Sequence, residues 1–72
     1  MKRTYKMEEL CCANCAAKME TAINKIDDVD EAVINFMAQR ITIVADEDKF
    51  ESVLDQAQKA ITKIERDCKI IR

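Results

Sequence analysis

The sequence predicts an α+β fold of βαββαβ order, a ferredoxin-like sandwich with two helices on one face of a four-stranded antiparallel sheet. Apolar residues alternate in short stretches near both ends and in the middle of the chain. They recur at three- and four-residue spacing in two longer stretches between them. Strands and helices in that order pack as two layers around one core.

Thr4 to Glu9 reads as a half-buried strand, with Tyr5 and Met7 on one face and Thr4, Lys6 and Glu8 on the other. From Ala13 to Ile26 the period is helical. Cys15, Met19, Ala22 and Ile26 form a stripe widened by Ile23, and Lys18, Thr21 and Lys25 face water. Asp27-Asp28 ends the pattern. Glu31 to Met37, with Ala32, Ile34 and Phe36 in register, and Arg40 to Ala45, with Ile41 and Ile43 in register, should form a hairpin turning around Ala38 and Gln39. A second helix is expected from Lys49 to Ile64, with Asp48 as N-cap and Glu51 completing an acidic variant of the capping box. Phe50, Val53, Leu54, Ala57, Ile61 and Ile64 make its apolar stripe, and Cys68 to Ile71 supplies the last strand. No repeat, linker or low-complexity stretch interrupts this order, so residues 1–72 read as one domain.

Composition narrows the function. The net charge is −2 and only three residues are aromatic, which argues against nucleic acid as a partner. No apolar run approaches the roughly 20 residues of a membrane span, and no signal-peptide core follows Met1, so membrane insertion is not expected. Glycine and proline are both absent. Turns that need a positive φ must then use Asn or Asp, and Asp28 and Asp67 are the expected positions. Without histidine or a glycine-rich nucleotide loop, no catalytic constellation is visible.

The chemistry concentrates in Cys11-Cys12-Ala13-Asn14-Cys15, at the junction of the first strand and first helix. Adjacent Cys11 and Cys12 with a remote Cys68 make a poor disulfide framework, and a reducing compartment with metal-binding thiols fits better. A Cys-x-x-Cys pair opening a helix places both sulfurs at the helix N-terminus, which favours the metal-binding thiolate. Burial as a small hydrophobe would account for Cys15 but not for Cys12 in the preceding loop. A dithiol redox pair is the alternative chemistry, although no Trp or Pro flanks the motif.

The segment Glu9-Leu10-Cys11-Cys12-Ala13-Asn14-Cys15 resembles the Gly-Met-x-Cys-x-x-Cys signature of the heavy-metal-associated domain. That family includes copper chaperones, mercury-binding proteins and cytosolic domains of metal-exporting P-type ATPases. Val29 to Phe36 resembles the family's second strand. Cys-Ala-Asn-Cys-Ala-Ala-Lys-Met-Glu at positions 12 to 20 is similar to the branch that exports cadmium, zinc and lead. Glu9 and Leu10 replace the Gly-Met pair, and Asp28 and Asp67 stand where the family carries loop glycines.

The resemblance implies that Cys12 and Cys15 are the metal thiolates. It makes Cys11 a third donor suited to a divalent ion, since Cu(I) is satisfied by two. It also brings Cys68 to the place beside the metal, where Glu65 and Asp67 of the same loop are alternative oxygen donors and otherwise solvated turn residues. The expected cargo is Cd(II) or Zn(II), with Pb(II) or Cu(I) as alternatives. The expected partner is the membrane part of a P-type ATPase, or a metal donor or acceptor protein. The domain would be cytoplasmic, within an integral membrane transporter or as a separate small protein, and any ATP hydrolysis would belong to the rest of that transporter. A Cu(I) chaperone, a dithiol oxidoreductase and an idealised scaffold are the rival readings. Lys18 and Lys25 would either steer an acidic partner or keep the helix soluble.

Overall fold

Strand β1 (Lys2–Glu8) lies inside the sheet rather than at its edge, and this explains its early start and its length. It pairs antiparallel with β3 (Arg40–Ala45), from Lys2 opposite Val44 to Lys6 opposite Arg40. Its far end pairs with β4 (Lys69–Ile71), from Lys6 opposite Ile71 to Glu8 opposite Lys69. Strand β2 (Val29–Asn35) completes the order β2-β3-β1-β4 through the predicted hairpin to β3, with an irregularity between Val29 and Glu31. The computed structural model describes residues 1–10 and 12–71.

Helices α1 (Ala13–Asn24) and α2 (Phe50–Ile64) cover one face of this sheet, giving the ferredoxin-like fold. The core interleaves both periodicities. Met7, Ile41 and Ile43 come from the strands, and Met19, Ile23 and Ile61 from the helices, all essentially closed to solvent. No polar or charged residue is buried among those described. None of the described helices is long and apolar enough to cross a membrane.

Three local expectations need correction. Asp48 is not an N-cap. The chain enters α2 through a 3₁₀ turn, Glu47–Lys49, and neither Asp46 nor Lys49 makes a side-chain capping bond. The tight turn instead uses backbone bonds, Lys49 N–H to Asp46 O at 3.0 Å and Phe50 N–H to Glu47 O, while Phe50 is carried into the core. Helix α1 closes at Asn24 rather than Ile26. Its last turn tightens through Lys25 N–H to Ala22 O and Ile26 N–H to Ile23 O, at 3.2 and 3.1 Å. Asp28 and Asp67 do not carry a positive φ; among the described residues Glu9 and Gln39 do. The turns holding Asp28 and Asp67 close with Val29 N–H to Ile26 O and Cys68 N–H to Glu65 O, without any left-handed residue.

Both outer strands are closed by carboxamides reaching from the helices. On β2, Asn24 donates to Ala32 O and accepts from Ala32 N–H, both at 2.8 Å, and Glu20 Oε2 accepts from Ile34 N–H at 2.8 Å. On β4, Gln58 donates to Cys68 O at 3.1 Å and accepts from Ile70 N–H at 2.9 Å. Each paired bond locks a helix to an edge strand. Asn24→Ala should therefore lower stability by about 1–2 kcal/mol, the net worth of the bonds lost. A urea midpoint indistinguishable from the parent's would contradict that role.

Candidate metal centre

The thiol loop is anchored at its base by two core residues. Met7 is 2% exposed near the end of β1, and Leu10 is 4% exposed and plugs the core beneath the loop. Between them the backbone turns through Glu9 at φ 62°, a left-handed conformation that costs a residue with a β-carbon about 1–2 kcal/mol. This is the position where a glycine would turn without strain, and the tight turn is kept despite the replacement. Cys11 lies outside the described residues.

Cys12 is the N-cap of α1. Its backbone is extended, at φ −152° and ψ 141°, and its Sγ accepts the Cys15 N–H at 3.4 Å. Its carbonyl accepts the Ala16 N–H at 3.0 Å and begins the helical ladder. Sulfur thus takes the part usually played by a Ser or Asp oxygen. The x-x spacing makes this possible, because three residues on from an N-cap the backbone N–H points back at the cap side chain. Cys15 sits in the first turn, half-buried against the core.

The two thiols differ in acidity. The Cys12 thiol is held below its ordinary pKa, chiefly by the Cys15 backbone N–H, then by a hydrogen bond from the Cys15 thiol, with the Asn14 N–H adding; partial burial and Glu65 oppose. The Cys15 thiol is pushed up by its bond to Cys12, by desolvation, and by the negative charges of Cys12 and Glu65, against a smaller pull from Lys18. The pair therefore gives up its protons in two steps, Cys12 ahead of Cys15. Glu65 closes α2 as its C-cap, and its Oε1 lies 4.0 Å from the Cys15 sulfur.

Cys12 and Cys15 are thus brought together, with a carboxylate at their side. Cys68 is 0% exposed and belongs to the core, inward-facing like Ile70 two residues on. Asp67 is exposed in the preceding turn. No group of three or more Cys, Asp or Glu side chains able to hold a metal forms among the described residues. Sequence reasoning missed Gln39, which reaches this loop from the β2–β3 turn: its Nε2 donates to Leu10 O at 2.9 Å. The absence of glycine from that turn was the available signal, since some other residue had to take the positive φ.

Two thiols of unequal acidity opening a helix, on an anchored loop with a carboxylate nearby, have the make-up of a small binding module for a soft metal ion. The heavy-metal-associated domain pattern matches residues 4–67, and the chain belongs to that family. It is similar to a probable cadmium-transporting ATPase of Listeria monocytogenes, 42% identical over 59 residues, covering 82% of this chain and 8% of that protein. It is also similar to a cadmium, zinc and cobalt-transporting ATPase of Bacillus subtilis (strain 168), 29% identical over 65 residues, covering 90% of this chain and 9% of that protein. The chain thus spans less than a tenth of those relatives' length, at 8% and 9%. Among solved structures, CopZ metallochaperone superposes with a TM-score of 0.74 at 22% identity, over 99% of this chain and all of that one. The N-terminal domain of a potential copper-translocating P-type ATPase from Bacillus subtilis, solved Cu(I)-loaded, has a TM-score of 0.74 at 28% identity, over 96% and 81% of the two chains.

The split acidity has a direct readout. As pH rises, Cys12 ionises first, so iodoacetamide should modify Cys12 ahead of Cys15, with the preference shrinking once Cys15 also ionises. Cys68, enclosed in the core, should resist both with and without metal. Peptide mapping by mass spectrometry across the pH series checks this, and earlier labelling of Cys15 or Cys68 would refute it.

Proposed function

We propose that this chain captures a soft divalent ion, Cd(II), Zn(II) or Pb(II), through Cys12 and Cys15 with Cys11 as third thiolate, and passes it to a P-type metal-exporting ATPase. The observation that carries the reading is the Cys12–Cys15 pair, half-buried at the N-terminus of α1, with Cys12 as its cap. Thiolate donors select soft ions over Mg or Ca. Two features favour a divalent ion over Cu(I): a third cysteine adjoining the pair in sequence, and the Glu65 carboxylate, whose Oε1 lies 4.0 Å from Cys15 Sγ as a further oxygen donor at hand. The cadmium-transporting relatives point the same way. Cys68 stays outside this donor set while its core remains closed.

Capture follows from the acidity of the two thiols. Ionised Cys12 binds first, the ion then displaces the proton from Cys15, and Cys11 or Glu65 fills the remaining positions. Delivery reverses the order, with an incoming thiolate attacking before the last sulfur leaves. In this reading the domain works in the cytoplasm, as part of a membrane transporter or as a separate donor to one. The second reading is Cu(I) carriage by Cys12 and Cys15 alone, which the likeness to the Cu(I)-loaded ATPase domain supports.

Cys12→Ser or Cys15→Ser should abolish tight binding and leave the fold intact, because the core is built without the ion. Amide spectra that become dispersed only on adding metal would contradict this. Cys11→Ser separates the two readings. It should weaken Cd(II) by at least the roughly 10- to 100-fold that loss of a supporting contact costs a metal site, and leave Cu(I) nearly unchanged. Chelator competition gives both affinities, and X-ray absorption at the metal edge of the Cd-loaded protein counts its sulfur donors. Equal losses for both metals would remove Cys11 from the donor set.

A further inference from the structure

Gln39 (φ 54°) bonds to residues on either side of Glu9 (φ 62°), the other left-handed residue among those described, although 30 positions separate the two. Gln39 O accepts the Met7 N–H at 2.8 Å. Its side-chain Nε2 donates to Leu10 O at 2.9 Å and to Phe36 O at 3.1 Å. Its own N–H closes the hairpin turn on Phe36 O at 3.2 Å. One residue of the β2–β3 turn therefore grips the thiol loop on both sides of Glu9, by its backbone at Met7 and by its carboxamide at Leu10. Strained backbone of this kind persists only where the surroundings hold it in place. The gripped Leu10 carbonyl lies two residues before Cys12 in sequence.

We propose that Gln39 is a positioning residue for metal capture, its carboxamide fixing Leu10 O so that the thiol loop is already shaped when the ion arrives. The proposal rests on the reading of Cys12 and Cys15 as the metal thiolates. A loop ordered beforehand loses less freedom on binding, so affinity rises without any new contact to the ion. The bond to Phe36 O serves the same end, because it ties the gripping side chain to its own turn.

Two variants test this. Gln39→Ala removes both side-chain donations, and Gln39→Glu keeps the size but turns the donor into a carboxylate facing two carbonyls. Hydrogen exchange of the Cys12–Cys15 amides, in metal-free protein, should quicken about fivefold to tenfold in each, as expected for losing one or two hydrogen bonds. Cd(II) dissociation into excess chelator should quicken in step. Asn24→Ala is the control, because it removes bonds at the opposite end of α1. It should lower the urea midpoint and leave loop exchange and Cd(II) release as in the parent. Gln39's role is overturned if both variants stay within twofold of the parent, if exchange quickens without faster Cd(II) release, or if Asn24→Ala reproduces the loop effects. A parent-like Cd(II) affinity in Cys12→Ser would overturn the metal reading itself, and the proposal with it.

Discussion

Burial of the sheet's inner face beneath α1 and α2 is accomplished with apolar side chains, and no polar or charged residue is enclosed among those described. Every buried side-chain polar atom of the described residues has a partner. The fold is therefore complete without help from an ion. A zinc finger is the opposite case, where metal supplies the folding energy and the ligands are structural. Here the core plugs, Met7 and Leu10, secure the base of the loop, and the residues beyond them are spared for chemistry. The same division would let the proposed thiol pair take up and release an ion without unfolding the domain.

Cys12 has two duties that reinforce each other. As N-cap it gives the first turn of α1 an acceptor, and the N–H that it accepts stabilises its own negative charge. Cys15, one turn on, is pushed the other way by its neighbour's charge and by Glu65. An unequal pair leaves one sulfur ready and one reluctant, which suits passage of an ion through intermediates with mixed ligands.

The strand–helix order was legible because each apolar stripe had a clean period. The stripes of Met19 and Ile23 in α1, and of Val53, Ala57 and Ile61 in α2, lie in the core as their spacing predicts. The errors fell where backbone hydrogen bonding decides the outcome rather than side-chain pattern. Asp48 had the chemistry of a cap, but burial of Phe50 drew the chain into a 3₁₀ entry that needed none. Propensity pointed to Asp28 and Asp67 for the positive φ values, whereas tertiary bonds imposed them on Glu9 and Gln39. The Cys12–Cys15 pair was readable from spacing alone. The Glu65 carboxylate was visible as a loop residue, but its approach to Cys15 needed the packing of α2 against α1. Gln39 was placed in its turn by the sequence, and the missing glycine hinted at its positive φ, but nothing local marks a glutamine whose side chain bonds across 29 residues.

The carboxamides on the outer strands bear on what happens when two such domains meet. Exposed strand edges are templates for further strands, and proteins held close together risk zipping into extended sheets. Ion transfer demands close and repeated encounters between thiol loops. Asn24 occupies the outward groups of Ala32 on one edge, and Gln58 those of Cys68 and Ile70 on the other. An approaching chain therefore finds these backbone groups already taken on both flanks. Under the proposed function, encounters would then fall to the thiol end, where a partner could be touched, relieved of its cargo or given one, and let go.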